Sequence, residues 1–289
     1  MSLRISFKMF FGLFVIGCIM PITAQNQFSL AFQLAKLRNG DNPLEAATPA
    51  AKIIEKNPRS MQALNYFRND FDDAERAVLQ ELTDIGYPRS VKEAERRCFL
   101  YKTLVEAYNA VATLPLPLTG NGWQWQPDLK YYEGNLSEAQ RELLEMLEER
   151  AEAAIAEGNP EKAAQYYGKA LNSLYDTTEV ESNRRFFYDK LYAKAEEKAT
   201  HEGIGAMIQA AGFYEVAYDL IPGEEILQKR NVMVSKIVDY YMQQANLTET
   251  SNDWNAALYN YEQVLHWDNQ NLVAMDKAQQ MRQYISQEE

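Results

Sequence analysis

The stretch Gly158-Asn-Pro-Glu-Lys-Ala163-Ala-Gln-Tyr-Tyr167-Gly-Lys-Ala170-Leu171 has the spacing of small and aromatic residues that decides the fold. Related stretches begin 47 and 94 residues after Ala163. The positions that recur in register are Ala163, Ala210 and Ala257, then Tyr167, Tyr214 and Tyr261, then Ala170, Ala217 and Val264. Small side chains at i and i+7 let two antiparallel helices approach closely, and the aromatic residue between them fills the space towards the next repeat. The spacing therefore predicts an array of packed helix pairs.

This pattern resembles the tetratricopeptide repeat (TPR), whose second helix carries Ala, an aromatic residue four positions later, Ala three positions later, and then Pro. Pro222 stands at the proline position, which Tyr175 and Asn269 occupy in the other two units. The resemblance implies an all-α fold, a right-handed α-solenoid of antiparallel helix pairs. A HEAT-like helical repeat, which a period of 47 also suits, is the alternative.

A TPR unit has about 34 residues, and we assign the extra length of each unit here to its first helix. The first helices are predicted at 136–157, 179–201 and 224–247. With a fixed shift of 47, Leu144, Leu191 and Val238 fall in register on these helices. Lys198 then occupies the position where the TPR family prefers a small residue, which is a departure from the pattern.

The chain divides into four segments by composition. Residues 1–24 form a targeting segment, and 25–113 form an N-terminal helical region with a degenerate TPR-like unit near 42–58. Residues 114–135 form a connector rich in Pro, Gly and Trp, and 136–289 hold the repeats. Helices in the N-terminal region are predicted at 27–38, 49–57, 61–84 and 90–113.

The N-terminus has the features of a secretory signal peptide. Arg4 and Lys8 precede an apolar run over residues 9–20, which is too short to span a bilayer. Cleavage after Ala24 would leave an Ala-Gln junction that resembles those of exported proteins of the Bacteroidetes. The alternative is lipidation at Cys18, because Val-Ile-Gly-Cys resembles a bacterial lipobox. Either route predicts a protein exported to the periplasm or associated with the outer membrane of a Gram-negative bacterium, without a transmembrane span in the mature chain.

The charge balance disfavours nucleic acid as a partner. The whole chain has a net charge of −12, and Arg4 and Lys8 are the only charged residues of the first 24, so the remainder carries −14. Binding to a phosphate backbone depends on clustered Lys and Arg, which the sequence lacks. At 46% hydrophobic and 24% charged residues, the composition is that of a folded protein rather than a disordered one.

The sequence shows no catalytic or metal-binding signature. His201 and His266 are the two histidines, and no cluster of Cys or carboxylate residues at ligand spacing surrounds either of them. Paired carboxylates such as Glu148-Glu149 and Glu224-Glu225 are interpreted as solvated helix faces, because general acid catalysis needs a raised pKa in a dry cleft. We therefore expect a protein that is not an enzyme, with no cofactor and no metal.

Two binding surfaces are candidates. If the TPR resemblance holds, a protein or peptide partner would lie in the groove made by the first helices, and an amphipathic or basic segment would suit it. That groove would present Glu148, Glu152, Ile155, Ala195, Ala199, Glu202, Met242, Asn246 and Glu249. The alternative is a glycan-binding accessory protein, whose aromatic cluster would be Trp123, Trp125, Tyr131 and Tyr132.

Overall fold

The computed structural model describes residues 22–114, 129–174 and 177–288, and these ranges are helical without any strand. The helices are α1 (Ile22–Arg38), α2 (Ala47–Lys56), α3 (Met61–Asn65), α4 (Phe71–Ile85), α5 (Val91–Ala112), α6 (Leu129–Ala156), α7 (Pro160–Ser173), α8 (Thr177–Ala199), α9 (Ile204–Leu220), α10 (Glu224–Thr250), α11 (Trp254–Trp267) and α12 (Leu272–Glu288). A 3₁₀ turn (Pro43–Ala46) precedes α2, and a π turn (Tyr66–Asp70) joins α3 to α4. The all-α prediction is confirmed.

The chain forms two compact units. Among the described residues, the N-terminal unit comprises 22–87, 96–114 and 129–136, and the C-terminal unit comprises 88–95, 137–174 and 177–288. Helices α5 and α6 contribute residues to both units.

The N-terminal unit is organised around aromatic residues at the π turn. Tyr66, Phe67 and Phe71 are buried and pack edge-on or tilted against one another, with ring centroids 5.2–6.2 Å apart. The Tyr66 hydroxyl donates to the Pro43 carbonyl oxygen at 2.9 Å, which ties the π turn to the 3₁₀ turn. Because a buried hydroxyl needs a partner, this bond lets a large aromatic residue sit in the core.

Several helix boundaries differ from the prediction for identifiable reasons. Helix α2 begins at Ala47 rather than at 49, because Pro49 lies in its first turn, where a missing N–H costs no hydrogen bond. Helix α6 begins at Leu129 rather than at 136, so the last part of the predicted connector is helical. Leu129 and Tyr132 pack against the core of the N-terminal unit, and this burial favours the helix. Residues 115–128 of the connector lie outside the described residues.

In the C-terminal unit, helices that are consecutive in the chain pack on one another. Helix α8 packs on α9, α9 on α10, α10 on α11 and α11 on α12. The nine recurring Ala, Tyr and Val positions of α7, α9 and α11 are all at most 2% exposed. This is the arrangement of a helical repeat, with each second helix buried between its neighbours.

The first and third repeats share one type of turn between their helices. Gly158 and Asn252, 94 residues apart, both adopt a left-handed backbone conformation, with φ of 74° and 59°. In each repeat the next residue caps the second helix: Asn159 accepts from the Lys162 N–H, and Asp253 accepts from the Ala256 N–H, both at 3.0 Å. These turns both terminate the first helix and start the second.

The middle repeat has a turn one residue longer than the other two, and its second helix begins six residues before Ala210 instead of three, so the register of its first helix changes. Ala151 of α6, Ala195 of α8 and Ala245 of α10 are fully buried, and each lies eight residues after a buried residue, namely Leu143, Phe187 or Ile237. Ala151 and Ala245 precede the first repeat alanine of the second helix by 12 residues, whereas Ala195 precedes it by 15. Equivalent positions of the first helices are therefore 44 and then 50 residues apart, not 47.

The register predicted for the first helices was wrong as a result. Leu144 and Val238 are only half-buried, and Leu143 and Ile237 take the core positions instead. Lys198 is not at the small-residue position, which Ala195 fills. The apparent departure of the middle repeat from the TPR pattern arises because α9 begins three residues earlier than α7 and α11 do, relative to its first repeat alanine, and the turn before it is one residue longer. Together these differences displace the first helix along the sequence.

Candidate functional site

The corrected register changes which residues are equivalent on the first helices. Ala195 was predicted to face the groove, but it is fully buried and presents no surface to a ligand. Glu202 lies beyond the end of α8, in the exposed turn before α9. Tyr192 and Glu196 take their places. We define the first-helix face as Glu148, Glu152 and Ile155 of the first repeat, Tyr192, Glu196 and Ala199 of the second, and Met242, Asn246 and Glu249 of the third.

All nine residues of this face are half-buried or exposed. Tyr192 and Glu196 are not predicted from the sequence when one shift of 47 residues is used for both helices of a unit. A signal was present in the chain: Phe187, Leu191 and Ala195 repeat the four-residue spacing of Leu143, Leu147 and Ala151.

The second repeat holds a network that joins three helices. Glu196 on α8 accepts from the Tyr214 hydroxyl of α9 at 2.5 Å and from the Lys229 ammonium of α10 at 2.6 Å. The same ammonium donates to the Tyr192 hydroxyl, which in turn donates to Glu225 at 3.1 Å. The hydrogen bonds from Lys229 and Tyr214 hold the pKa of Glu196 below its usual value. Glu196 is therefore ionised at neutral pH.

We call a tyrosine hydroxyl, the carboxylate that it contacts and the lysine paired with that carboxylate a triad. The third repeat contains an equivalent triad, but its carboxylate comes from a different position of the first-helix face. The Tyr261 hydroxyl of α11 lies 2.6 Å from Glu249 Oε2 and 3.2 Å from Asn246 Oδ1, both on α10. The Lys277 ammonium of α12 donates to Glu249 at 2.5 Å. Burial acts to raise the pKa of Glu249, but the bonds from Lys277 and Tyr261 outweigh it and lower the pKa.

The first repeat lacks a complete triad. The Lys190 ammonium of α8 pairs with Glu152 of α6. The Tyr167 ring is 1% exposed and stacks on Phe187 at 4.1 Å, but among the described residues its hydroxyl has no hydrogen-bond partner. Glu148 faces this region, and burial, reinforced by Glu145, raises its pKa. In the described part of the chain, Glu148 makes no ion pair, although the nearby Lys190 charge opposes the rise.

The repeats carry nearly all of the surplus negative charge. Residues 137–289 contain 14 Lys and Arg and 27 Asp and Glu, a net charge of −13, whereas residues 25–136 come to −1. On the first-helix face, however, Glu152, Glu196 and Glu249 are each neutralised by a lysine of a later helix. The acidity of the face is therefore lower than the sequence implies, and Glu148 is its uncompensated carboxylate within the described residues.

The chemistry of the triads is that of charge stabilisation. A carboxylate serves as a general acid when its pKa is raised, and those of Glu196 and Glu249 are lowered. His201 and His266 are exposed, and His201 bonds the Glu197 carbonyl oxygen at 2.7 Å. The described residues contain no group of three or more His, Cys, Asp or Glu side chains suited to a metal ion.

The aromatic residues proposed for glycan binding are placed only in part. Tyr132 is half-buried, stacks on Tyr108 at 4.9 Å and packs against the core of the N-terminal unit. Tyr131 is 59% exposed and meets Tyr132 edge-on. Trp123 and Trp125 lie outside the described residues, as does Cys18.

Among the helices that the structure describes, none combines the length and the apolar character that a membrane span requires. The chain matches no known protein-family model. No curated protein is significantly similar to it in sequence.

Proposed function

We propose that this protein is a non-enzymatic adaptor of the cell envelope, which binds a protein or peptide partner through the first-helix face of a right-handed, TPR-type solenoid. One observation carries the proposal. Between repeats the buried residues of the second helices stay nearly the same, whereas equivalent residues of the face differ, as Glu148, Tyr192 and Met242 do. Similar buried positions preserve the helix packing, and different face positions give each repeat its own contacts for a ligand.

The N-terminal sequence supports export, through the basic start, the apolar run and the small residue before Gln25. Mass spectrometry of the mature protein distinguishes a chain that begins at Gln25 from one that is lipidated at Cys18. Glycan binding stays a prediction, because Trp123 and Trp125 lie outside the described residues, while Tyr132 stacks on Tyr108 in the N-terminal unit.

The test is affinity purification from the native envelope with a pair of variants. Met242→Lys places a charge on the first-helix face, and Tyr259→Lys places the same charge on α11, where Tyr259 is 57% exposed. We expect a stoichiometric partner that is retained by wild type and by Tyr259→Lys but lost with Met242→Lys. A partner retained equally by both variants, or no partner with wild type, would refute the adaptor function. Circular dichroism checks that both variants keep the helical fold.

A further inference from the structure

The first repeat contains a buried hydroxyl without a hydrogen-bond partner and a half-buried carboxylate without an ion pair. In the other two repeats, the corresponding tyrosine hydroxyl, a carboxylate and a lysine are joined by hydrogen bonds. The Tyr167 hydroxyl is buried without a partner among the described residues, whereas the equivalent hydroxyls of Tyr214 and Tyr261 donate to carboxylates. Glu148 is half-buried and makes no ion pair in the same part of the chain. In the second repeat, Tyr192 and Tyr214 are the residues equivalent to Glu148 and Tyr167, and their ring centroids are 6.1 Å apart. Glu148 and Tyr167 therefore occupy neighbouring positions of the first repeat. A buried hydroxyl without a partner is rare in folded proteins, because the lost hydrogen bonds to water are not replaced.

The other repeats show which chemical group completes such a site. In the second repeat, the Lys229 ammonium binds the carboxylate that accepts from the buried tyrosine, and it also binds Tyr192, the residue equivalent to Glu148. In the third repeat, Lys277 binds the carboxylate that accepts from Tyr261. The group that completes the network is an ammonium in both cases, and each time it comes from a later helix of the same chain.

In the first repeat, Lys190 of α8 pairs with Glu152 of α6, and its ammonium also lies 4.6 Å from the centre of the Phe186 ring. Lys190 makes no ion pair with Glu148 among the described residues, and its charge only partly offsets the effect of burial, which raises the pKa of Glu148. An anion is disfavoured at the site, because Glu145, Glu148 and Glu152 all lie on α6 and residues 137–289 carry a net charge of −13. A cation is therefore the group that suits the site.

We infer that the first repeat binds a lysine or arginine side chain of the protein partner, at a site formed by the Glu148 carboxylate and the Tyr167 hydroxyl. The inference rests on the proposed adaptor function. Glu148 accepts from the incoming cation and from the Tyr167 hydroxyl, as Glu196 accepts from Lys229 and Tyr214. The partner thereby supplies the charge that the chain itself supplies in the other two repeats.

The test is an NMR titration of the full chain carrying ¹³C-labelled tyrosine rings. The probe is Nα-acetyl-lysine N-methylamide, and its uncharged counterpart is Nα-acetyl-norleucine N-methylamide. Tyr167→Phe identifies the Tyr167 resonance by its loss. We expect a saturable shift of this resonance with the lysine probe and none with the norleucine probe. Glu148→Gln should weaken binding of the lysine probe about tenfold, since a charge-assisted hydrogen bond is lost.

The control variant is Asp276→Asn, which removes the same charge from an exposed position of α12. It should leave the affinity for the lysine probe unchanged. The inference is overturned if Tyr167 shows no saturable shift, if the norleucine probe shifts it equally, or if Glu148→Gln and Asp276→Asn behave alike. Heteronuclear spectra of each variant report whether the fold is intact.

The failure of this inference can be separated from failure of the adaptor function. A partner that is lost with Met242→Lys but binds Glu148→Gln as tightly as wild type would leave the adaptor in place and remove the cation site. If Met242→Lys loses no partner, the adaptor function fails, and the lysine titration alone decides whether the site binds a cation.

Discussion

Three equally buried tyrosines of this protein differ in what their hydroxyl groups contact. Tyr214 and Tyr261 donate to the carboxylates of Glu196 and Glu249, and each carboxylate is held in place by a lysine. Tyr167 has the same ring burial without an acceptor among the described residues. A formed hydrogen bond contributes about 0.5–1.5 kcal/mol, whereas a buried polar group without a partner costs about 1–3 kcal/mol, so the same residue type stabilises two repeats and weakens the third.

Replacing each tyrosine by phenylalanine should distinguish the hydroxyls that stabilise the protein from the one that weakens it. Tyr214→Phe and Tyr261→Phe are expected to lower the free energy of unfolding by about 1–2 kcal/mol each, since a bond to a charged acceptor is lost. Tyr167→Phe is expected to be neutral or stabilising. Urea unfolding followed by circular dichroism measures all three. A loss with Tyr167→Phe as large as with Tyr214→Phe would mean that Tyr167 has an acceptor in the free protein.

Replacing Glu148 should stabilise the free protein at neutral pH. Burial holds the folded-state pKa of Glu148 above its unfolded value, so the ionised form is disfavoured in the fold. The resulting loss in the free energy of unfolding is absent below the unfolded pKa of about 4.3. It develops as the pH rises through the folded pKa of Glu148.

Glu148→Gln is therefore expected to raise the thermal midpoint at neutral pH, and the gain should vanish near about pH 4. Thermal scans of both proteins across this range provide the measurement, with Asp276→Asn as a charge-matched control. A lower midpoint for Glu148→Gln at neutral pH would show that the carboxylate is stabilised within the chain. Residues that bind a ligand commonly lower the stability of the free protein, and Glu148 would be such a residue.

At the scale of helices, close approach between α7 and α9 depends on a residue without a side chain. A Cβ atom added at Gly212 of α9 would lie 2.7 Å from Cγ of Pro160, the first residue of α7. A proline ring has little freedom to move aside, so the helices themselves would have to separate. Gly168, inside α7, has no heavy atom within 4 Å of the same constructed position.

Two alanine substitutions should therefore have opposite effects. Gly212→Ala is expected to destabilise the protein by about 1–3 kcal/mol, the usual range for overpacking. Gly168→Ala should stabilise it by about 0.5–1 kcal/mol, because alanine is the better helix former. Denaturant unfolding of the two variants beside wild type gives both values. A gain with Gly212→Ala would mean that α7 and α9 are not in tight contact.

At the scale of the whole molecule, the charge is distributed unevenly along the chain. The net charge of −13 on residues 137–289 causes repulsion between the acidic side chains of the repeats. The three lysine–glutamate pairs between helices reduce this repulsion locally. Salt screens charges on the surface more strongly than charges that are partly buried. Repulsion should thus weaken with added salt more than the triads do.

Added sodium chloride is accordingly expected to raise the urea midpoint of the protein. The measurement is a series of urea titrations at increasing salt concentration, repeated for a Lys229→Met variant. That variant loses one attractive pair and should show a larger gain with salt than wild type. A midpoint that falls with salt would mean that the triads outweigh the repulsion.

The sequence by itself determined the helix pairs of this protein and the residues buried in the second helices. Ala163, Tyr167 and Ala170 are spaced by four and three positions, so they lie on one face of any helix that contains them. The same reasoning located most helix ends, because caps such as Asn159-Pro160 act within one turn. These features depend on neighbours within about one turn of the chain, which a sequence shows directly.

Only the tertiary structure decided the register of the first helices and the partners of the polar residues. In the middle repeat, a turn one residue longer and an earlier start of α9 place Ala195 in the core and Tyr192 and Glu196 on the face. Which lysine reaches which carboxylate then depends on the placement of helices that are distant in sequence, as with Glu249 and Lys277. Periodicity describes one helix at a time, whereas contacts between helices depend on turn length and packing. Only the fold therefore shows that the Tyr167 hydroxyl has no hydrogen-bond partner and that Glu148 has no ion pair among the described residues.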